Sequence, residues 1–120
     1  MWKIEAIIRP EKLEVVQMRL SRIGYPGMMV TDMEGHGRQK GLHSDWPIGL
    51  RVNFLPKTKM EIVVENKDKN KVLKAIVNSA RTGEPGDGKI FVIEIKDVIR
   101  IRTGERGAKA LSKKDTSRVK

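Results

Sequence analysis

Residues 2–24 read WKIEAIIRPEKLEVVQMRLSRIG, and their punctuation points to the fold class. Residues 2–9 alternate and run into Pro10, which cannot donate to a strand ladder. This predicts a strand with Ile4, Ala6 and Ile8 on one face. Residues 11–23 then place Leu13, Val16, Leu20 and Ile23 at helical spacing, with Met18 at the edge of the stripe. Glu11 sits in the first turn, where the helix dipole favours an acid. Gly24 stops the helix.

Working outward, Tyr25-Pro26-Gly27 is a turn and residues 28–34 form a second strand. Gly35-His36-Gly37 breaks it. Residues 38–54 hold three more breakers, Gly41, Pro47 and Gly49, without a sustained period. The reading is a long flexible loop over about residues 37–55, a length usually tied to function or disorder. Residues 58–64 give a third strand, with Met60, Ile62 and Val64 on one face. Residues 66–81 give a second helix, with Val72, Leu73, Ile76, Val77 and Ala80 as its apolar stripe. Residues 82–88 are a glycine-rich loop, 89–96 a fourth strand and 98–102 a further short extended piece. Residues 112–120 are a polar, basic tail expected to be disordered.

The order is therefore βαβ, a long loop, then βαβ again. Two such units in one short chain predict an α+β, ferredoxin-like split βαβ sandwich, an antiparallel sheet with both helices on one face. Residues 1–111 form the single domain. The other face of the sheet, assigned Ile7, Val63 and Val92, is too apolar to stand in water, which predicts self-association.

Composition narrows the function. The 120 residues are 38% apolar and 33% charged, with no cysteine. Disulfides, thiolate metal sites and a cysteine nucleophile are excluded. No run reaches the ~18 apolar residues of a membrane span, and the N-terminus does not read as a signal peptide. A cytoplasmic setting is expected. The net charge is +10, of which residues 105–120 carry +4. A basic balance points to an anionic partner.

Three segments can carry chemistry. Gly83-x-x-Gly86-Asp87-Gly88-Lys89 spaces glycines so that backbone N–H groups can form an anion-binding concavity, with Lys89 adding charge. It lacks the spacing of a Walker A loop, and a helix cap followed by a turn would read the same way. Arg100 and Arg102, two apart, share a face if extended. An anion bridging their guanidiniums, or a solvated pair with carboxylate partners, would satisfy them. Gly35 to Gly41 joins flexible backbone to Arg38, Gln39 and Lys40. The Gln39 oxygen could complete a hard cation's shell beside phosphates. His36 and His43 read as surface histidines.

Read in series, these segments resemble the PII signal-transduction proteins. The series runs KIEAIIRPEKL, Gly27-Met28-Met29-Val30-Thr31, Gly35 to Gly41, Phe54 to Val64, Ala80 to Val92 and Ile99 to Arg106, in order and almost without gaps over residues 1–111. The resemblance implies a ferredoxin-like homotrimer that is a regulator and not an enzyme, taking ATP or ADP in clefts between subunits. It implies that Gly86, Asp87, Gly88, Lys89, Arg100 and Arg102 cradle the phosphates. Ile7, Met28, Met29, Gly35, Gly37, Arg38 and Val63 would line the rest of the nucleotide. It further implies Mg²⁺ held partly by Gln39, and 2-oxoglutarate met by Gln39, Lys57 and the backbone of Gly86. The target would be an ammonium transporter or a nitrogen-metabolism enzyme, contacted through the long loop.

The departures are local. The family usually has threonine where Met29 stands, so one hydroxyl contact is lost. Residues 42–53 (LHSDWPIGLRVN) share almost nothing with the family's loop. Leu50 falls where a modifiable tyrosine would sit, so uridylylation is not expected. Trp46-Pro47 replaces the family's Tyr-Arg. Trp46 becomes the expected partner contact, or a side chain folded onto its own trimer, and another transporter or enzyme becomes an alternative target. An RNA-recognition module has the same element order, but the third strand carries none of the aromatics that such modules stack on bases. An acylphosphatase-like enzyme is disfavoured because Pro10 stands in the N-terminal loop with no N–H to donate to a phosphate.

Overall fold

A computed structural model describes residues 1–35 and 55–111. Strand β1 runs Trp2–Ile8 and a 3₁₀ turn follows at Pro10–Lys12. Helix α1 spans Leu13–Ile23, β2 Met29–Gly35 and β3 Leu55–Val64. A second 3₁₀ turn at Asn66–Asp68 leads into α2, Lys69–Ala80, then β4, Lys89–Glu94, and a short α3, Ala108–Leu111. The sheet order is β2-β3-β1-β4 and the three pairings are antiparallel. This is the expected split βαβ sandwich.

Local chemistry sets the boundaries. Gly24 takes φ 115° and its N–H reaches the carbonyls of Leu20 and Ser21, while the Tyr25 N–H also bonds Leu20. That closes α1 with a left-handed residue that glycine adopts without a Cβ penalty. Strand β3 starts three residues earlier than the 58–64 reading. The extension holds Pro56, which has no N–H to donate to a ladder. There β3 has only β2 beside it, because β1 joins at Thr58, so the missing N–H breaks no central ladder.

The core lies between the sheet and the helices. Ile4, Ala6, Ile8, Met60, Ile62 and Val64 meet Val16, Leu20, Val72, Ile76 and Ala80, and all are buried. Both predicted stripes therefore face inward, with Met18 and Val77 at their exposed margins.

The opposite face has one correction. Val63 pairs with Lys3, and Ile7 with Lys59 and Lys89, so both lie away from the helices. Val92 pairs with Ile4 and so shares the helix-facing side. It is exposed because β4 is an edge strand, not because it belongs to the open face. Phe91 and Ile93 are the open-face residues of β4, joined by Met29 from β2. Among them Lys3 Nζ lies 2.9 Å from both Glu5 and Glu61, carboxylates directly opposite each other. Hydrogen bonds to Glu61 and then Glu5 raise the Lys3 pKa.

Candidate functional site

The expected site residues fall into two groups at opposite ends of the open face. The first forms where β1 ends and β4 begins, with Ile7 paired to Lys89. The glycine-rich loop is folded there around one carboxylate. Asp87 accepts from the Thr82 N–H (2.9 Å), the Gly83 N–H (2.8 Å) and the Thr82 hydroxyl (2.5 Å). Arg9 Nε reaches the same carboxylate at 3.0 Å. Partial burial would push the Asp87 pKa up. The Thr82 hydroxyl, the two amides and Arg9 outweigh it and hold the carboxyl well below the usual carboxylate range. Asp87 thus spends its side chain on the loop itself, and only its backbone is available to a ligand.

Three glycines make this path possible. Gly83, Gly86 and Gly88 take φ of 91°, 103° and 98°. Alternation of such residues with ordinary ones turns successive amides inward, the geometry of an anion nest. Lys57, on β3, donates to the Gly86 carbonyl at 2.6 Å. Burial, and then the nearby Arg9 charge, lower the Lys57 pKa. Gly35, the last residue of β2, pairs with Leu55 at the same end of the sheet. A cavity of about 300 Å³ beside the loop is lined by Ile7, Gly88 and Lys89, with Ile76, Val77 and Ala80 from α2.

The second group lies at the far end. Met28, Met29 and Val63 line a cavity of about 440 Å³ together with Glu61, Ala110 and Leu111. Arg100 lies beside it. Its guanidinium donates to Glu105 at 2.8 Å and to the Ala110 and Lys109 carbonyls at 3.2 and 3.4 Å. The chain around it is a tight turn closed by the Arg100 N–H to the Glu105 carbonyl (2.8 Å) and a bridge between Ile99 and Arg106. The extended piece expected over 98–102 therefore keeps only the Ile99 bridge and gives way to a turn at residues 101–103. Arg102 sits within the turn itself, so the expectation that Arg100 and Arg102 share a strand face does not hold. Gly104, at φ 75°, permits the reversal that the alternation rule missed.

The separation of the groups follows from the register. β4 carries the chain from Lys89 to Glu94, about 17 Å along a strand, before Arg100 is reached. Likewise Val63 lies opposite Lys3, four residues from Ile7 on β1. Gly37, Arg38, Gln39 and Trp46 lie outside the described residues, as do most of the 37–55 loop and the whole tail. Among the described residues, no group of three His, Asp or Glu converges on a metal position. Arg9, Thr82 and Glu105 are site residues that sequence reasoning did not single out. Only their positions, beside Pro10 and at the borders of two glycine-rich turns, could have marked them.

Comparison with known proteins fixes the kinship. The family model "Nitrogen regulatory protein P-II" matches residues 1–105. This chain belongs to the nitrogen regulatory protein P-II family. The family's members are signal-transduction regulators and not enzymes. The chain is 51% identical over 112 residues to nitrogen regulatory protein P-II 2 of Methanothermobacter thermautotrophicus, covering 92% of this chain and 97% of that one. It is also 51% identical to nitrogen regulatory protein P-II of Pasteurella multocida, covering 92% and 100%. Among solved structures, Arabidopsis thaliana PII bound to citrate superposes with a TM-score of 0.77 at 43% identity, covering 94% of this chain and 91% of that one. Among the described residues, no helix is long and apolar enough to cross a membrane.

Proposed function

We propose that this P-II chain acts as a cytoplasmic homotrimer that binds ATP or ADP between neighbouring copies and reports the nucleotide through its 37–55 loop. The carrying observation is the division of the site. The glycine loop with Lys89 stands at one end of the open face, and Arg100 with the Met28–Met29–Val63 cavity at the other. Neither end holds both an amide nest and a guanidinium of the Arg100 turn. Setting one copy's nest against the next copy's arginine turn completes a polyanion cleft, and repeating that head-to-tail contact closes a ring. Association would also cover Met29, Phe91 and Ile93, which are 58%, 48% and 42% exposed in the single chain.

In this reading Gly86, the Asp87 backbone, Gly88, Lys89, Arg100 and Arg102 hold the phosphates. Ile7, Gly35, Gly37, Arg38, Met28, Met29 and Val63 surround the nucleoside. Mg²⁺ rests on phosphate oxygens and Gln39. A dicarboxylate of the 2-oxoglutarate type meets Gln39, the Lys57 ammonium and the backbone of Gly86, with the ammonium supplying a charge-assisted hydrogen bond. The citrate bound by the Arabidopsis relative supports a site for small acids. The target, contacted by Trp46 and the loop, is an ammonium transporter or a nitrogen-metabolism enzyme. Ligands act by binding one loop conformation better than another.

Calorimetry with ATP and ADP, paired with sizing, tests the reading. The double variant Lys89→Ala/Arg100→Ala is expected to lose both nucleotides while keeping the assembly of the unsubstituted chain. Unchanged ATP affinity would overturn it.

A further inference from the structure

Arg9 follows β1 directly and lies at the border of the 3₁₀ turn, outside the glycine-rich loop. Its side chain nonetheless crosses to that loop and is largely buried against it, with 15% of its surface exposed. It makes two different contacts there. Nε donates to Asp87 Oδ1 at 3.0 Å, and Nη2 donates to the Pro85 carbonyl at 2.9 Å. Lys57 meanwhile donates to the next carbonyl, that of Gly86, at 2.6 Å. Two cations, one just past the end of β1 and one on β3, therefore hold two consecutive carbonyls of the loop.

The consequence follows from peptide geometry. In a trans peptide the C=O and the next N–H point in opposite directions, and no cis bond occurs among the described residues. Fixing the Pro85 carbonyl on Arg9 turns the Gly86 N–H away from Arg9. Fixing the Gly86 carbonyl on Lys57 turns the Asp87 N–H away from Lys57. The direction of both amides is thus set from outside the loop. Asp87 cannot do this alone, because its carboxylate gathers the amides of Thr82 and Gly83 on the loop's other limb.

We propose that Arg9 is a positioning residue of the anion loop: by holding Asp87 and the Pro85 carbonyl together it aims the Gly86 and Asp87 amides at the bound phosphates. The inference rests on the nucleotide reading above. A fork with two donor directions is needed, since one guanidinium serves a carboxylate and a carbonyl at once, and a lysine ammonium lacks that rigid geometry.

The test compares ATP, ADP and adenosine binding to the full chain with Arg9→Gln and Arg9→Lys. Arg9→Gln is expected to weaken ATP and ADP by about tenfold and to leave adenosine unchanged. Arg9→Lys, which keeps the charge, is expected to recover only part of the loss. Equal losses for ATP and adenosine would overturn the proposal, because they would mark a general structural role. So would unchanged ATP affinity in Arg9→Gln, or full recovery in Arg9→Lys, which would reduce Arg9 to a charge. If Arg9→Gln does not fold, the Arg9→Lys ratio of ATP to adenosine loss decides alone. Failure of the underlying reading is told apart because the unsubstituted chain would then bind no nucleotide.

Discussion

A Cβ placed on Gly88 would lie 1.7 Å from the carbonyl oxygen of Ile7, and the residue already takes φ of 98°. Both facts act at the start of the β1–β4 pairing, one residue before the Lys89–Ile7 pair. Gly88→Ala must therefore push the two strands apart as well as strain its own backbone. It is expected to cost about 3 kcal/mol of stability in denaturant unfolding. Gly27→Ala, where nothing lies within 4 Å of the added carbon, serves as the control and should change stability by less than about 0.5 kcal/mol.

Tyr25 ties the end of α1 to the start of α2. Its hydroxyl donates to Asp68 at 2.5 Å and accepts the Glu65 N–H at 3.3 Å. Burial, and then the Asp68 hydrogen bond, push its pKa from 10.0 up to about 12. The folded chain therefore keeps the phenol proton more tightly than the unfolded chain does. The contribution is complete below pH 10 and is lost as pH rises through about 12. Tyr25→Phe should cost about 1 kcal/mol at neutral pH and remove this part of the alkaline fall, as read from melting curves across pH.

Glu105 pairs with Arg100 at 2.8 Å and, in the proposed cleft, would compete with a phosphate for it. Glu105→Gln keeps the shape of the turn and removes the competing charge. ATP affinity should rise about fivefold, equivalent to ~1 kcal/mol. A fall in affinity, measured by calorimetry, would mean that the carboxylate is needed to present Arg100 instead.

Phe91 stands on the open face and is half exposed, so the single chain does not depend on burying it. Phe91→Asp is expected to leave a folded chain that sediments as a monomer. Its nucleotide affinity should fall by about tenfold or more, because the cleft loses its second wall. A variant that stays oligomeric would place the contact elsewhere.

How much of this was legible in the sequence differs by residue. The core was: Ile4, Ala6, Ile8, Val16, Leu20 and Ile76 follow periods of 2 and 3.6, and those periods survive folding. Val92 was misassigned because alternation gives two faces without saying which meets the helices, and only pairing with Ile4 decides that. The glycine loop was legible as a loop, since Gly83, Gly86 and Gly88 need positive φ. What fills it was not. Asp87 turning inward, Arg9 crossing 78 positions to reach it and Lys57 capping Gly86 are tertiary contacts with no local signature. The expected strand stops short at Arg100 because Gly104 and Gly107 reverse the chain, and Ile99 and Ile101 alternating with Arg100 and Arg102 resemble a strand until that reversal is known.

The division of the site between copies is tested most directly by mixing two variants, each inactive alone. Lys89→Ala lacks the loop charge and Arg100→Ala lacks the guanidinium, so neither pure oligomer should bind ATP. In co-assembled oligomers, an Arg100→Ala copy supplies an intact loop to a Lys89→Ala neighbour's intact arginine. Calorimetry on the mixture should then recover a fraction of the sites at the affinity of the unsubstituted chain. No recovery from demonstrably mixed oligomers would place both residues in one copy's site and contradict the account.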